Sequence, residues 1–372
     1  MARSLIVTIT DVTNYGNRLQ NYALNSLLQK YGSCDTAEFI PGVDDGHAFA
    51  KVRIKRALHL RNAKTAVECL RHPLAEKSRL MRERLTAMKH FTDHYIPDNK
   101  FRITEYKNLE VRQSAMYDTV ILGSDQVWNS RWLSLDDLRL RLGSFATPDI
   151  KVISYAASFG ISSIDDKKAR DVFSEYLPKL HAISVREDRG KELVSELAHV
   201  PATVVLDPTL MLTSGQWSQI TKSFVADDDR YVLTYFLGKP STKQQECINR
   251  YAQTHHCRVR KILDQDDPET YVAGPEDFVE LFAKAQYVFT DSYHACCFSM
   301  LFHKQFTVFT RLGLSKGENM NSRMETLFRL FHLDSVVMNS GIAPVIDYDN
   351  VDKLLECHRA ESRKWLDAAM EK

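Results

Sequence analysis

The sequence predicts an α/β protein of two doubly wound domains facing each other across a cleft. Three observations lead there. Short apolar runs alternate with helical patterns along the whole chain. The apolar runs are nearly continuous, as in parallel strands covered on both faces. The 372 residues exceed what one ordinary core holds and suit two domains of roughly 150–200 residues each.

Taken in order, strands are expected at Ser4–Ile9, Thr119–Leu122, Val152–Ala156, Ala182–Val185 and Thr203–Leu206, then at Tyr231–Phe236, Arg258–Ile262, Tyr287–Thr290 and Phe306–Thr310. Each is rich in Val, Ile, Leu, Tyr or Phe. Helical spacing of apolar residues places helices between them, at Arg18–Gln29, Asp166–Leu177, Asp188–Glu196, Lys243–His255, Pro275–Lys284 and His294–Leu301. The rhythm breaks at a long helical stretch, about 49–99, and again near Thr213–Asp229. The expected division is therefore a first domain over 1–212 carrying a basic insertion at 49–99, a second domain over 213–350, and a terminal segment, 351–372, whose amphipathic pattern packs back on the first domain.

Composition narrows the function by exclusion. A net charge of +1 provides no global field for nucleic acid. No stretch is apolar enough to cross a bilayer, and the N-terminus runs straight into a strand pattern without a secretory apolar region. Seven scattered cysteines read as reduced thiols of a cytoplasmic protein, and the adjacent Cys296 and Cys297 read as packing rather than as a redox or metal pair. The Asp-rich pieces, 227–229 and Asp264 with Asp266 and Asp267, read as loop charge, so no metal or other cofactor is expected.

In doubly wound sheets, ligands bind beyond the carboxyl ends of the strands. After the first strand stand Asn14, Tyr15, Gly16, Asn17 and Gln20, where a helix near Asn17 offers unpaired N–H groups and Asn17 itself suits a cap. After the second stand Ser124, Asp125 and Trp128: a carboxylate able to accept a hydroxyl proton and an indole able to stack on a sugar, or else a helix cap and a core residue. Arg186 follows the fourth strand as a clamp for carboxylate or phosphate, unless it pairs with Glu187 or Asp188. The run Thr290-Asp291-Ser292-Tyr293-His294 ends a strand and opens a helix. His294 can exchange a proton near neutral pH, and Asp291 is close enough in sequence to orient its ring. Arg323 opens a helix against the preference of the helix dipole, which points to an anion nearby.

These segments, together with Ser154-Tyr155-Ala156-Ala157-Ser158-Phe159-Gly160, Ser184-Val185-Arg186-Glu187, Asp207-Pro208-Thr209-Leu210 and Asn321-Ser322-Arg323, resemble the polysaccharide pyruvyl transferase family, in register over roughly residues 5–335. The resemblance implies an architecture like that of GT-B glycosyltransferases, phosphoenolpyruvate as donor and a saccharide, lipid-linked in some settings, as acceptor. It implies a pyruvate ketal as product, in bacterial cell-surface polysaccharide synthesis. On that basis His294, Asp291 and Asp125 are expected to be catalytic. Arg186, Arg323, Ser292 and Tyr293 are assigned to the donor, and Asn14, Tyr15, Asn17, Gln20, Ser124 and Trp128 to the acceptor. One departure is Ser292, where some members carry Arg.

Two rivals stand beside this reading: a nucleotide-sugar-dependent glycosyltransferase of the same fold, and a non-catalytic carbohydrate-binding relative. Between Lys51 and Lys89 there are twelve Lys and Arg against three Glu, with apolar residues between them. This stretch suits either peripheral contact with an anionic membrane face or packing on the first domain. The sequence leaves homo-oligomerisation open.

Overall fold

The computed structural model describes residues 2–11, 13–39, 73–96, 102–103, 116–226, 228–311 and 321–371. Two all-parallel sheets organise the chain. The first runs in the order β2-β1-β5-β6-β7-β8, from β1 (Ala2–Val7), β2 (Gly32–Thr36), β5 (Thr119–Leu122), β6 (Lys151–Ala157), β7 (Ala182–Val185) and β8 (Thr203–Val204). The second runs β10-β9-β11-β12-β13, from β9 (Tyr231–Tyr235), β10 (Arg258–Ile262), β11 (Tyr287–Thr290), β12 (Phe306–Phe309) and β13 (Val337–Met338). Two short strands, β3 (Glu38–Phe39) and β4 (Arg102–Ile103), pair apart from both.

The near-continuous apolar strands have the cause expected of them. In β1 and β5, Leu5, Val7, Val120 and Leu122 enter one core, while Ile6 and Ile121 enter another on the opposite face. The period-2 pleat thus finds apolar cover on both sides. Each such side chain contributes about 1.5–3 kcal/mol by leaving water. In β9, Tyr231, Leu233 and Tyr235 face one core and Val232 the other. The fold is α/β, with two Rossmann-like parallel sheets, and both sheets reverse their strand order next to the first-built strand, at β1/β5 and at β9/β11.

Helix α1 (Tyr15–Leu28) begins earlier than its spacing suggests. Asn14, not Asn17, is the cap, and its side chain accepts from the Asn17 N–H at 3.1 Å. This moves the first turn of α1 into the seam between the domains. Tyr15 donates from its hydroxyl to the Ala273 carbonyl at 2.6 Å and stacks on Phe278 of the second domain.

Helix α2 (Pro73–Tyr95) is the described part of the basic insertion; residues 51–72 lie outside the described residues. Its Met88 and Phe91 enter the core that contains Phe278 and Phe298. Arg84 lies over the Tyr15 and Tyr271 rings and donates to the Thr13 carbonyl. The apolar stripe of helix α2 is thus spent on α1 of the first domain, the packing expected of it, and on the second domain as well.

The remaining helices, in chain order, are α3 (Leu135–Leu140), α4 (Lys167–Tyr176), α5 (Asp188–Ala198), α6 (Pro208–Met211), α7 (Ser214–Ser218), α8 (Thr242–Thr254), α9 (Pro268–Tyr271), α10 (Pro275–Lys284), α11 (Tyr293–Leu301), α12 (Asn321–Phe331) and α13 (Tyr348–Glu371). Helix α13 crosses between the domains. Val351 and Leu355 pack in the core dominated by the second domain, whereas Leu366 and Ala369 cover the first sheet beside Ile6, Ile121 and Ile153. Between these ends, Arg359 donates to the Leu210 and Leu212 carbonyls at 2.6 and 2.8 Å. Among the described residues no helix is long and apolar enough to cross a membrane.

Arg359→Ala removes two charged hydrogen bonds and leaves two buried carbonyls without them. The expected loss is about 2 kcal/mol of stability, read as a lower urea midpoint; an unchanged midpoint would show that apolar burial alone docks α13.

Candidate active site

The carboxyl ends of both sheets meet at a cleft that is open to solvent. Asn14, Asp125 and Gln126 line it from the first domain; Leu237, Asp291–His294, Thr310, Arg311 and Arg323 line it from the second.

Its floor is an ion-paired hub. Arg186 leaves the end of β7 fully buried and donates to Asp207 at 2.7 Å and to Asp125 at 3.0 Å. It also lies over the Tyr293 ring, 4.5 Å from its centroid. Asp207 accepts from the Thr209 N–H and hydroxyl with one oxygen, and from Arg186 and the Ser124 hydroxyl with the other. Burial alone would raise both carboxyls, but Arg186 and His294 outweigh it. Asp125, helped by Arg323, is held at about 2, and Asp207 below its ordinary value. At neutral pH both are anions.

His294, in the first turn of α11, hangs over this floor. Its Nε2 is buried, 3.8 Å from Asp207, and among the described residues it has no hydrogen-bond partner. Its ring lies flat against Gly16 of α1, where a Cβ would fall 2.0 Å from Nδ1. Burial lowers the pKa of His294 from 6.5; Asp207 and Asp125 pull it up, Arg186 and Arg323 push it down, and the net direction is down. The resting imidazole is neutral at pH 7.

Arg323, at the start of α12, brings a buried cation to the cleft wall. It is buried to 6% exposure, and its nearest carboxylate oxygen, on Asp125, is 3.8 Å away. The Gln126 amide sits 3.1–3.2 Å from its two terminal nitrogens, with its oxygen turned to them in the orientation that satisfies both groups. Its Nε has no acceptor among the described residues. Burial and then the neighbouring Arg186 push its pKa down to about 10. Beside it, Ser292 opens α11 without a side-chain cap, so the N–H groups of that first turn are open to a ligand.

Several sequence-based assignments are corrected. Arg186 is no free clamp: both terminal nitrogens serve Asp125 and Asp207, and its expected ion partners are engaged elsewhere, Glu187 with Ser158, Phe159 and Gly160, and Asp188 with Arg329. Asp291 does not orient His294. Its oxygens accept from the Leu237 and Gly238 N–H groups and from Arg311 Nε, which binds the loop after β9 to the end of β12. Trp128 cannot stack on a ligand, being fully buried against Phe159 and Phe173, with its indole N–H on the Arg141 carbonyl. Tyr15 is equally enclosed in the domain seam. Asn17, Gln20 and Ser124 lie beneath the cleft, where Gln20 accepts the Ser124 N–H at 3.2 Å and donates to Thr8. Asn14, Asp125, Ser292, Tyr293, His294 and Arg323 remain at the cleft wall. Cys296 and Cys297 are free and buried. Among the described residues no group of three His, Cys, Asp or Glu side chains could hold a metal.

The family model for polysaccharide pyruvyl transferases matches residues 14–312, most of the chain and both halves of the cleft. The chain belongs to this family. No protein of curated function matches it. Among solved structures, this family member is similar to UDP-GlcNAc 2-epimerase from Neisseria meningitidis (11% identity, TM-score 0.47, 97% of this chain and 99% of that one). It is also similar to UDP-N-acetylglucosamine 2-epimerase from Rickettsia bellii (8%, TM-score 0.49, 100% and 97%) and to the ADP-heptose heptosyltransferase II of E. coli (9%, TM-score 0.38, 96% and 99%).

Two residues of the site in this family member carry no role on sequence grounds. Asp207 lies inside Asp207-Pro208-Thr209-Leu210, where an acid after a strand and before a proline is the available signal. Gln126, beside Asp125, carried no signal of its own.

Two outcomes follow from the His294 setting. Gly16→Ala, which in a helix ordinarily gains stability, is expected to lose about 1–3 kcal/mol, because the new methyl collides with the ring. Urea unfolding and a shift of the His294 ring signals would report it. The second concerns acid. Because the folded ring binds its proton more weakly than the unfolded one, the unfolded state takes up more protons below pH 6.5. Stability from this group is present above 6.5 and lost as the pH falls toward the lower folded-state value. His294→Gln is expected to flatten that part of the stability profile; an identical slope would place the acid sensitivity elsewhere.

Proposed function

We propose that this protein transfers the pyruvyl group of phosphoenolpyruvate to two hydroxyls of one sugar, forming a pyruvate ketal for a bacterial cell-surface polysaccharide. The observation that carries the reading is Arg323. A buried guanidinium without a carboxylate at hydrogen-bond distance faces the same cleft as a neutral histidine and an uncapped helix N-terminus. That combination suits a small dianion undergoing proton transfer.

In this reading, Arg323 and the first turn of α11 hold the phosphate and carboxylate of the donor, with Ser292 beside them. Attack of one sugar hydroxyl on C2 forms a C–O bond. The proton from that hydroxyl passes through His294 to the methylene carbon, which becomes a methyl. The second hydroxyl then forms the other C–O bond as the C2–O bond to phosphate breaks, and its proton leaves with phosphate. Asp125, held at about 2 by its cations, is too weak a base for either step. It accepts a hydrogen bond from the sugar instead, with Asn14 on the same wall.

Calorimetry with phosphoenolpyruvate and a panel of nucleoside diphosphates tests this. Phosphoenolpyruvate is expected to bind, and Arg323→Ala to weaken it by at least ~30-fold, about 2 kcal/mol. His294→Ala is expected to bind the donor with little change and to lose at least ~10²-fold in turnover. Nucleotide binding without phosphoenolpyruvate binding would move the assignment to glycosyl transfer.

A further inference from the structure

We propose that Asp207 is the positioning residue of the site: a fixed anion that keeps the proton of neutral His294 on Nε2, leaves the Nδ1 lone pair to the cleft, and balances the imidazolium formed during turnover. The proposal rests on the pyruvyl-transfer reading for its role in turnover, though its geometry stands independently.

Two observations meet on one ring. The first is the enclosed Nε2, which has no hydrogen-bond partner among the described residues and whose near carboxylate oxygen is Asp207 Oδ2, at 3.8 Å. A lone pair on Nε2 would face that anion; an N–H there faces it favourably, so the neutral ring carries its hydrogen on Nε2. The second is Gly16, whose missing side chain makes room for the face of the ring at Nδ1. The Nδ1 side of the ring therefore lies over Gly16 in the first turn of α1, and His294 lines the cleft together with Asn14. The ring is held between a backbone that admits no larger residue and a carboxylate that cannot approach it.

Asp207 cannot approach because all of its positions are occupied. Oδ1 accepts from the Thr209 N–H at 2.9 Å and hydroxyl at 2.8 Å, and Oδ2 from Arg186 at 2.7 Å and Ser124 at 3.2 Å. A carboxylate anchored by four donors acts on His294 through its charge rather than by moving to meet it. Arg186 keeps it ionised. The other charged groups facing His294 are Asp125 at the end of β5, Arg186 at the end of β7 and Arg323 on α12; the Tyr293 ring lies perpendicular beside it. Among the described residues, Asp207 is the carboxylate that stands within ion-pair distance of a ring nitrogen, and it does so at Nε2.

The test reads the ring directly, without turnover. In protein carrying ¹⁵N-histidine, the His294 signals are assigned by their loss in His294→Gln. The expected wild-type spectrum shows the Nε2–H tautomer. In Asp207→Asn the His294 titration midpoint is expected to fall by about 1 pH unit, the usual effect of removing an opposite charge at this range. Turnover in that variant is expected to fall at least ~10-fold in kcat, the scale on which one poorly placed acid–base group is felt, with KM for phosphoenolpyruvate little changed. An Nδ1–H tautomer in the wild type overturns the proposal, and that measurement needs no variant to fold. An unmoved midpoint in folded Asp207→Asn overturns it as well. If the ring responds as expected but no pyruvyl transfer is seen with any saccharide, the positioning role stands and the pyruvyl-transfer reading fails. If transfer occurs and the ring ignores Asp207, the reverse holds.

Discussion

A guanidinium sealed from water has to be neutralised by the protein itself, and the site is arranged around how Arg186 is neutralised. Its desolvation alone costs several kcal/mol, which only well-placed carboxylates offset. The two that do so, Asp125 and Asp207, come from the ends of β5 and β8. To reach it, Asp125 adopts a left-handed backbone, with φ of 68°, a conformation that costs a non-glycine residue about 1 kcal/mol or more. The loops after three strands of the first sheet are thereby tied to one buried group. The histidine and Arg323 of the second domain rest on the result.

Much of this architecture was legible in the residues. Val, Ile and Leu at consecutive positions in β1 and β5 demand cover on both faces, and the two cores flanking the first sheet supply it. Pro275–Lys284 and Tyr287–Thr290 fell where pattern placed them, since Pro starts the helix and four buried positions fill the strand. The strand-end rule also singled out Asp125, Ser292 and His294, and the misplaced helix charge singled out Arg323; all four line one cleft. Pairing was not legible. Asp291 lies three residues from His294 and serves Arg311, whereas Asp207, distant in sequence, is the carboxylate beside the ring. Nor does sequence tell a stacking tryptophan from a core one: Trp128 is decided by Phe159 and Phe173, which approach it from other elements.

The same limit applies to α1. Polar residues at a strand end suggested ligand contact, yet Tyr15 and Gly16 do opposite structural jobs one residue apart. Tyr15 reaches into the second domain to bind the Ala273 carbonyl, while Gly16 gives way so that a ring from the second domain can lie on it. Interface and site are therefore a single surface. A substitution that loosens the seam changes the position of His294 even where it touches no ligand.

Helix α13 ties the order of folding to the spacing of residues along the chain. Leu24 and Leu28 of α1 cover Ile6, Ile121 and Ile153 from nearby in sequence, whereas Leu366 and Ala369 cover the same core from far beyond the first sheet. Contacts of such long sequence separation form slowly, because the loop-closure entropy must be lost before they contribute. The helix that completes this core also carries Arg359, which fastens the crossing between domains. Final sealing of the core and fastening of the crossing are thus one late, non-local step.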